Sequence, residues 1–437
     1  MKRRGIPVYE DKVYTFDPRL SRYCATLDFT AMEDSKFDIC VIGGGLWGSA
    51  AARYISQRDH IKVCLIGPKE PGVDEYQNAN VLGSHYDEGR IACQFEQPGT
   101  IWPVLTHRSI CSFRHLETLS GINFFSEVGS LICREEGSNF CEDVEKLSQE
   151  LGFDITICTA KELNHLFPAV KTRPFRKYWY AKNSSGYISP RSLISAQQKV
   201  AASQGCRIVT DTVLTVNETL RMGQKVIYVR TKTGQEMYAN KVLLCTGAFT
   251  NFYDILPESM KLDLVPCSEM VVKVEIESKI AEDKFGDLPP LLCENGVSPD
   301  LCDFYLLPPI KYPNGKVYFK LGHGEDFCVG LHTLEDIRSW YCNKGNAWLG
   351  QILVKLFNSA IDVKATSIEY DAGVTAHTPN DCPYCGMLTP NLGVLVGGNG
   401  SGAGSSDELG KMGAQMIIKG EWDHDLDEQL FKPQLRR

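Results

Sequence analysis

Residues 37–54 read FDICVIGGGLWGSAAARY: an apolar run opening at Phe37, glycines at 43, 45 and 48 in GxGxxG spacing, then the alanine-rich start of a helix. That order describes a cradle for nucleotide phosphates. Gly43 permits the tight turn, Gly45 lets backbone approach a pyrophosphate, and Gly48 lets helix and strand pack closely, with the helix N-terminus turned to the anion. The cradle takes in Gly43, Gly44, Gly45, Leu46, Trp47 and Gly48. A second strand-like stretch, KVCLI at 62–66, answers the first and completes a βαβ unit. The competing reading is a glycine-rich turn without a ligand, and the flanking strands and helix weigh against it.

Outward from this unit the chain runs to 437 residues, 43% hydrophobic and 23% charged, ordinary for a soluble globular protein. A net charge of −8 and a pI near 5.7 argue against a broad nucleic-acid-binding face. No apolar stretch approaches the roughly 20 residues needed to cross a bilayer. The N-terminus, MKRRGIPVYEDKVYTFDPRL, lacks an apolar signal core, and Glu10, Asp11 and Asp17 speak against a transit peptide. The final QLRR is no peroxisomal address, so a cytoplasmic location is expected. The 17 cysteines are scattered, most in apolar stretches such as DICVI and KVLLCTG, which suits buried reduced thiols.

Residues 1–36 form a polar extension without periodicity. Beyond the βαβ unit, GPKEPGVDEYQNANVLGSHYDEGR at 67–90 is long for a structureless loop and is expected to carry part of a site. A helix at 190–205 precedes three strand-like stretches, ending in KVLLCTGAFTN at 241–251. The glycine-rich GGNGSGAGSSDELG follows at 397–410. Three cofactor-like segments near 43, 247 and 400 thus lie far apart in sequence. One nucleotide domain assembled from discontinuous pieces, with a second domain inserted between them, accounts for the spacing.

Taken together, GGGLWG, GSHYDEGRIA at 83–92, GYISPRSL at 186–193, YFKLGHG at 318–324, HTPNDCPYCG at 377–386 and the C-terminal glycine run resemble the D-amino-acid oxidase superfamily of FAD-dependent oxidoreductases, in its sarcosine-oxidase-like branch. The resemblance covers roughly 37–425. It implies an α/β (α+β) fold: a Rossmann-like FAD-binding domain of segments 37–95, 186–260 and 370–425, and an antiparallel-sheet substrate domain of segments 96–185 and 261–369. It further implies FAD as cofactor, with Val213 at the adenine and Gly247, Gly400, Ser401 and Gly402 offering backbone to the flavin. Lys320, in YFKLGHG, matches a lysine held over the flavin, where a cation stabilises the anion formed as electrons pass to oxygen. Arg90 matches an arginine beside the flavin and the reacting substrate. The implied activity is oxidation of a C–N bond in an amine or N-substituted amino acid, with oxygen reduced to hydrogen peroxide.

Several positions depart from the family pattern. The acid expected after the second strand, for the ribose hydroxyls, is Gly67, and Glu70 in the next turn is a candidate substitute. Covalent relatives attach FAD through a cysteine where this chain has Gly373, so noncovalent FAD is expected. Cys382 and Cys385 form a lone CxxC inside a family turn and are read as structural, with no metal site expected. The two cations that clamp a substrate carboxylate in sarcosine oxidases are replaced by Cys93 and Gly404, which argues against sarcosine itself. His85 and Asp87 share the Arg90 loop, and His323 and His377 lie in segments expected near the flavin. The rival functions are a flavin dehydrogenase with another electron acceptor and a catalytically silent FAD-binding protein.

Overall fold

Strand Lys36–Ile42 is apolar and buried from Ile39 onward because both faces are covered there, and it pairs in parallel with Val63–Gly67 from Ile39↔Val63 to Ile42↔Ile66. The computed structural model describes residues 36–135, 140–173, 176–293, 303–324 and 327–436, so the expected extension at 1–36 lies, but for Lys36, outside the described residues. Around these two strands grows an eight-stranded sheet. Arg207–Thr210 joins Val63–Gly67 in parallel, the Val213–Leu244 region supplies an antiparallel ribbon, and Leu392–Val396 pairs in parallel with Val242–Leu244.

Helices Leu46–Ser56 and Ser406–Lys419 cover one face and touch each other at small residues. A Cβ on Gly410 would stand 2.3 Å from that of Ala50. Helix Pro190–Ser203 joins them through a buried polar knot: Arg53 bonds Gln197 and, at 2.8 Å, Asp407, which Tyr54 also reaches at 2.7 Å. Three helices distant in sequence are thereby fixed behind the glycine turn.

A second eight-stranded sheet contains Ser130–Glu135, Arg176–Ala181, Val265–Ile276, Phe304–Lys311, Val317–His323 and Ser367–His377. Its pairings are antiparallel except between Leu291–Cys293 and Leu131–Cys133. Two stretches sit differently from the sequence expectation. Helix Trp102–Ser120, grouped there with the second domain, buries Trp102 and Leu105 against Ile39, Val41 and Leu409, because its apolar stripe matches the nucleotide-side helices. Strand Ser367–His377, whose C-terminal part was expected in the FAD-binding segment 370–425, pairs with Val265–Ile276 from Glu275↔Ser367 to Val265↔His377. Its hydrogen-bond ladder, not the nearby glycine run, decides its place.

All 14 cysteines with described side chains are free thiols. No described helix is long and apolar enough to cross a membrane.

Candidate active site

Between the two sheets lies a cavity of about 660 Å³. One wall is backbone. Gly43, with φ at +112°, turns so closely under the strand end of Cys245 that a Cβ would lie 2.2 Å from its carbonyl oxygen. A Cβ on Gly48 would meet the Gly43 carbonyl at 1.9 Å, which makes this glycine a packing requirement. Helix Leu46–Ser56 starts at Gly45 with no side-chain cap, and helix Ser406–Lys419 likewise starts uncapped at Ser405. Gly45, Leu46 and Trp47 line the cavity, so the first helix presents its unfilled N–H donors to it, the feature a pyrophosphate uses. Trp47 Nε1 donates to the Gly402 carbonyl at 2.6 Å and ties the two glycine segments together.

The sequence-predicted cofactor residues Gly44, Val213, Gly247, Gly400, Ser401 and Gly402 also line the cavity, whereas Gly48 packs behind it. The missing ribose acid has a steric cause: a Cβ at Gly67 would lie 2.4 Å from the Gly44 nitrogen, so no side chain fits there. Glu70 is committed elsewhere. Its carboxylate takes Arg191 Nε at 2.8 Å and Nη2 at 2.6 Å, while Arg191 Nη1 reaches Glu88 at 2.7 Å. The wall offers backbone groups and Val213, and no acid, along its length, a donor set that suits an extended dinucleotide.

The opposite wall is built of side chains. Loop 67–90 folds in so that Val81–Asp87 line the cavity, and its Asp87 is the centre of an ionic knot. Lys320 Nζ bonds Asp87 Oδ2 and the Gly89 carbonyl, each at 2.5 Å; Arg90 also binds Asp87, and Tyr312 donates to it at 2.7 Å. Burial opposes charge on Asp87, yet Lys320 and then Arg90 outweigh it and hold the carboxyl well below the usual range. Lys320 is 1% exposed. Burial, then the neighbouring Arg90, pulls its amine down to about 7, so of the two cations on Asp87 it is Lys320 that gives up its proton first. Lys320 is therefore tied behind the loop and is not a lining residue, whereas Arg90 lines the cavity. Burial, then Arg90, also pulls His85 down to about 4.

Further along this wall, strand alternation puts Glu269, Val271 and Lys273 on one face, and Lys273 pairs with Asp371 at 2.9 Å. Burial pushes the Glu269 carboxyl up; Thr375 Oγ1 lies 3.4 Å from it and 2.9 Å from His377 Nε2. Glu269, His323 and Cys328 form a trio of possible metal ligands within 4.8 Å. His323 Nε2, however, accepts the Met270 N–H at 3.1 Å, and Nδ1 lies 2.7 Å from the Gly324 carbonyl, so both ring nitrogens are in use. Cys385 is buried in strand Tyr384–Thr389, and the Cys382 carbonyl accepts from Thr378, both structural placements.

The positions that lost the carboxylate clamp line the cavity but carry no cation. A Cβ on Gly404 would stand 3.1 Å from Ala92 Cα, and Cys93 is buried with Ser130 donating to its sulfur at 3.3 Å. Sequence reasoning did not single out Glu96, Glu269, Tyr305 or Tyr312. Tyr305 carried one signal, a polar group at a sheet position whose strand neighbours are apolar; Glu269 follows a serine, and Glu96 and Tyr312 sit in loop and hairpin-end positions, with no such signal.

A family model described as FAD dependent oxidoreductase matches residues 38–416. The chain is 23% identical over 251 residues to monomeric sarcosine oxidase of Arthrobacter sp. (strain TE1826), covering 57% of this chain and 61% of that protein. It is 24% identical over 221 residues to N-methyl-L-tryptophan oxidase of Yersinia pestis (strain Pestoides F), covering 51% and 56%. The chain thus spans less than two thirds of these relatives' length. Among solved structures, NikD, an unusual amino acid oxidase essential for nikkomycin biosynthesis, superposes with a TM-score of 0.70 at 16% identity over 92% of this chain and 98% of that one. L-proline dehydrogenase from P. horikoshii superposes with a TM-score of 0.66 at 18% identity over 92% and 100%. These two likenesses establish the fold.

Proposed function

We propose that this chain, which belongs to the family of FAD-dependent oxidoreductases, oxidises a C–N bond of a small amine or N-substituted amino acid and passes the electrons to oxygen. One observation carries this reading: a single cavity has a glycine-backbone wall with an open helix N-terminus on one side and an ionisable wall from an antiparallel sheet on the other. Bound FAD supplies the redox chemistry, taking a hydride equivalent from the carbon beside the nitrogen and delivering electrons to oxygen as hydrogen peroxide.

The protein's own residues bind and orient. Gly43, Gly44, Gly45, Leu46 and Trp47 would hold the pyrophosphate, Val213 would stand at the adenine, and Gly247, Gly400, Ser401 and Gly402 would give backbone to the ring system. Arg90 lines the space for the reacting amine, steadied by Asp87. Lys320 and Arg90 both bind one carboxylate, and whenever Lys320 is protonated the surplus positive charge favours electron-rich states nearby. Gly373 lines the cavity without a thiol, which supports noncovalent FAD. A second reading, a dehydrogenase with another acceptor, is favoured by the engagement of Lys320 Nζ with Asp87 and the Gly89 carbonyl.

The test is anaerobic mixing of FAD-loaded protein with amines and N-methyl amino acids. Loss of oxidised-flavin absorbance, peroxide on admitting air and flavin released by acid precipitation are expected. Bleaching that air does not reverse selects the dehydrogenase reading, and no bleaching by any amine refutes both.

A further inference from the structure

The cavity-lining stretch Val81–Tyr86 is a strap that reaches back to the glycine wall: a Cβ on Gly45 would stand 3.4 Å from His85 Nδ1, beside the turn read as the pyrophosphate cradle. Its two ends are anchored in different ways. Downstream, Asp87 is buried and held by Lys320, Arg90 and Tyr312. Upstream, the anchor is a set of hydrogen bonds to Ala79 and Asn80 from three separate elements. Tyr253 Oη donates to the Asn80 carbonyl at 2.5 Å, Lys232 Nζ to Asn80 Oδ1 at 2.6 Å, and Arg338 Nε to the Ala79 carbonyl at 3.2 Å. Lys232 is exposed and the other two donors are half-buried, so water competes for these bonds far more than for those at Asp87.

The upstream anchor stands at the Val213 end of the cavity, the place proposed for the adenine. The Asp254 N–H donates to the Leu214 carbonyl at 3.1 Å and Asp254 bridges Thr215, which brings Tyr253 alongside the Val213 segment. The Lys232 N–H donates to the Thr212 carbonyl at 2.8 Å, and Tyr253 lines the cavity together with Thr212 and Val213. The backbone of Tyr253 shows that its side chain is needed. Its φ is +58°, in the left-handed region that Gly or Asn tolerates and a bulky aromatic residue does not. The chain passes through that conformation between the turn Gly247–Phe249 and the bridge at Asp254, and yet a tyrosine stands there. An outlier of this kind beside a cavity points to function. The hydroxyl is the group at issue, and its partner among the described residues is the Asn80 carbonyl.

We propose that Tyr253, Lys232 and Arg338 form a latch on Ala79 and Asn80 that closes the strap Val81–Tyr86 over the cofactor, and that opening of this latch gates both entry and departure of FAD. The proposal rests on FAD being held noncovalently in this cavity, and not on the reaction it performs there. The three donors are positioning residues, since they act on the cofactor through the strap. The strap opens at this end because the bonds here are open to water, whereas opening at Asp87 would strand Lys320 and Arg90 without their carboxylate. A gate of this kind speeds passage in both directions when it is weakened and leaves the binding equilibrium nearly alone.

The test uses the full chain loaded with radiolabelled FAD and chased with excess unlabelled FAD for the release rate, and the apoprotein mixed with FAD for the uptake rate. Tyr253→Phe keeps the ring and loses the hydroxyl, and it is expected to speed release and uptake each by about fivefold while Kd stays within about twofold. Lys232→Met is expected to speed both by about twofold. A release rate unchanged in a Tyr253→Phe protein of wild-type Tm overturns the proposal. So does faster release with unchanged uptake, which makes Tyr253 a contact of the bound cofactor and not a latch. Should Tyr253→Phe not fold, Lys232→Met, a change at an exposed side chain, decides in the same way. Apoprotein that takes up no FAD refutes the cofactor reading of the cavity and the latch with it, whereas FAD that binds and leaves every variant at the wild-type rate overturns the latch alone. Flavin that stays with acid-denatured protein overturns the latch as well, because a covalent bond then limits release.

Discussion

The two walls of the cavity are made of different material. On the nucleotide side the limiting quantity is space: Gly43, Gly48 and Gly67 each stand so close to another backbone atom that a Cβ would fall 1.9–2.4 Å from it. On the substrate side the limiting quantity is charge balance. Asp87 there serves Lys320, Arg90 and Tyr312 at once, Arg90 from its own loop and the other two from one distant hairpin. The first wall therefore tolerates almost no added atom, while the second tolerates a change of shape provided no buried charge is stranded.

Gly43→Val breaks the first wall and has the largest expected effect. The φ of +112° disfavours a branched side chain, and the 2.2 Å approach to the Cys245 carbonyl cannot be relieved by a rotamer. A loss of roughly 3 kcal/mol or more is expected, with failure to retain FAD. Calorimetric Tm and the flavin-to-protein ratio check it; a variant that keeps both shows that the turn can move.

Charge balance predicts an order for the second wall. Asp87→Asn leaves the buried Lys320 and the partly buried Arg90 with no carboxylate and is expected to cost about 3 kcal/mol. Lys320→Met leaves Asp87 still bound by Arg90, by Tyr312 at 2.7 Å and by the Glu88 N–H at 2.8 Å. Its cost is expected to stay under about 2 kcal/mol. Between about 7 and the ordinary lysine value of 10.5 the unfolded chain keeps a proton on this amine that the folded chain has released, so this group makes stability rise with pH across that window. Lys320→Met is expected to flatten that rise in denaturant titrations at pH 7 and pH 9. If it costs as much as Asp87→Asn, Lys320 rather than Asp87 is the centre of the cluster.

The same contrast explains what could be read from the chain. GGGLWG and GGNGSGAG were legible because phosphate cradles are rules about backbone, and backbone rules appear as glycine spacing. The doubly composed fold was legible for a related reason, since the three glycine segments bracket the inserted strands. The pairing of Lys320 with Asp87 was not, because residues 233 positions apart meet only through sheet registry and the inward course of loop 67–90. Helix Trp102–Ser120 was misplaced because its apolar stripe identifies a buried face without saying which neighbour buries it. Glu96 was invisible because a carboxylate in a loop becomes unusual only once the loop is seen to line a cavity.

Glu70 gives the mildest and sharpest test of the comparison. It is the acid in the turn after the second strand that a ribose could use, yet its carboxylate is bound twice by Arg191, which Glu88 also holds at 2.7 Å. The group belongs to the charge-balanced wall although it lies beside the glycine turn. Glu70→Gln removes one half-exposed ion pair while Arg191 keeps Glu88, so a loss under about 1 kcal/mol is expected. FAD affinity, measured by fluorescence quenching on reconstitution, is expected to change by less than about twofold. A loss of tenfold or more assigns Glu70 to the ribose and makes the first wall a mixed one, in which a side chain supplements what the backbone does.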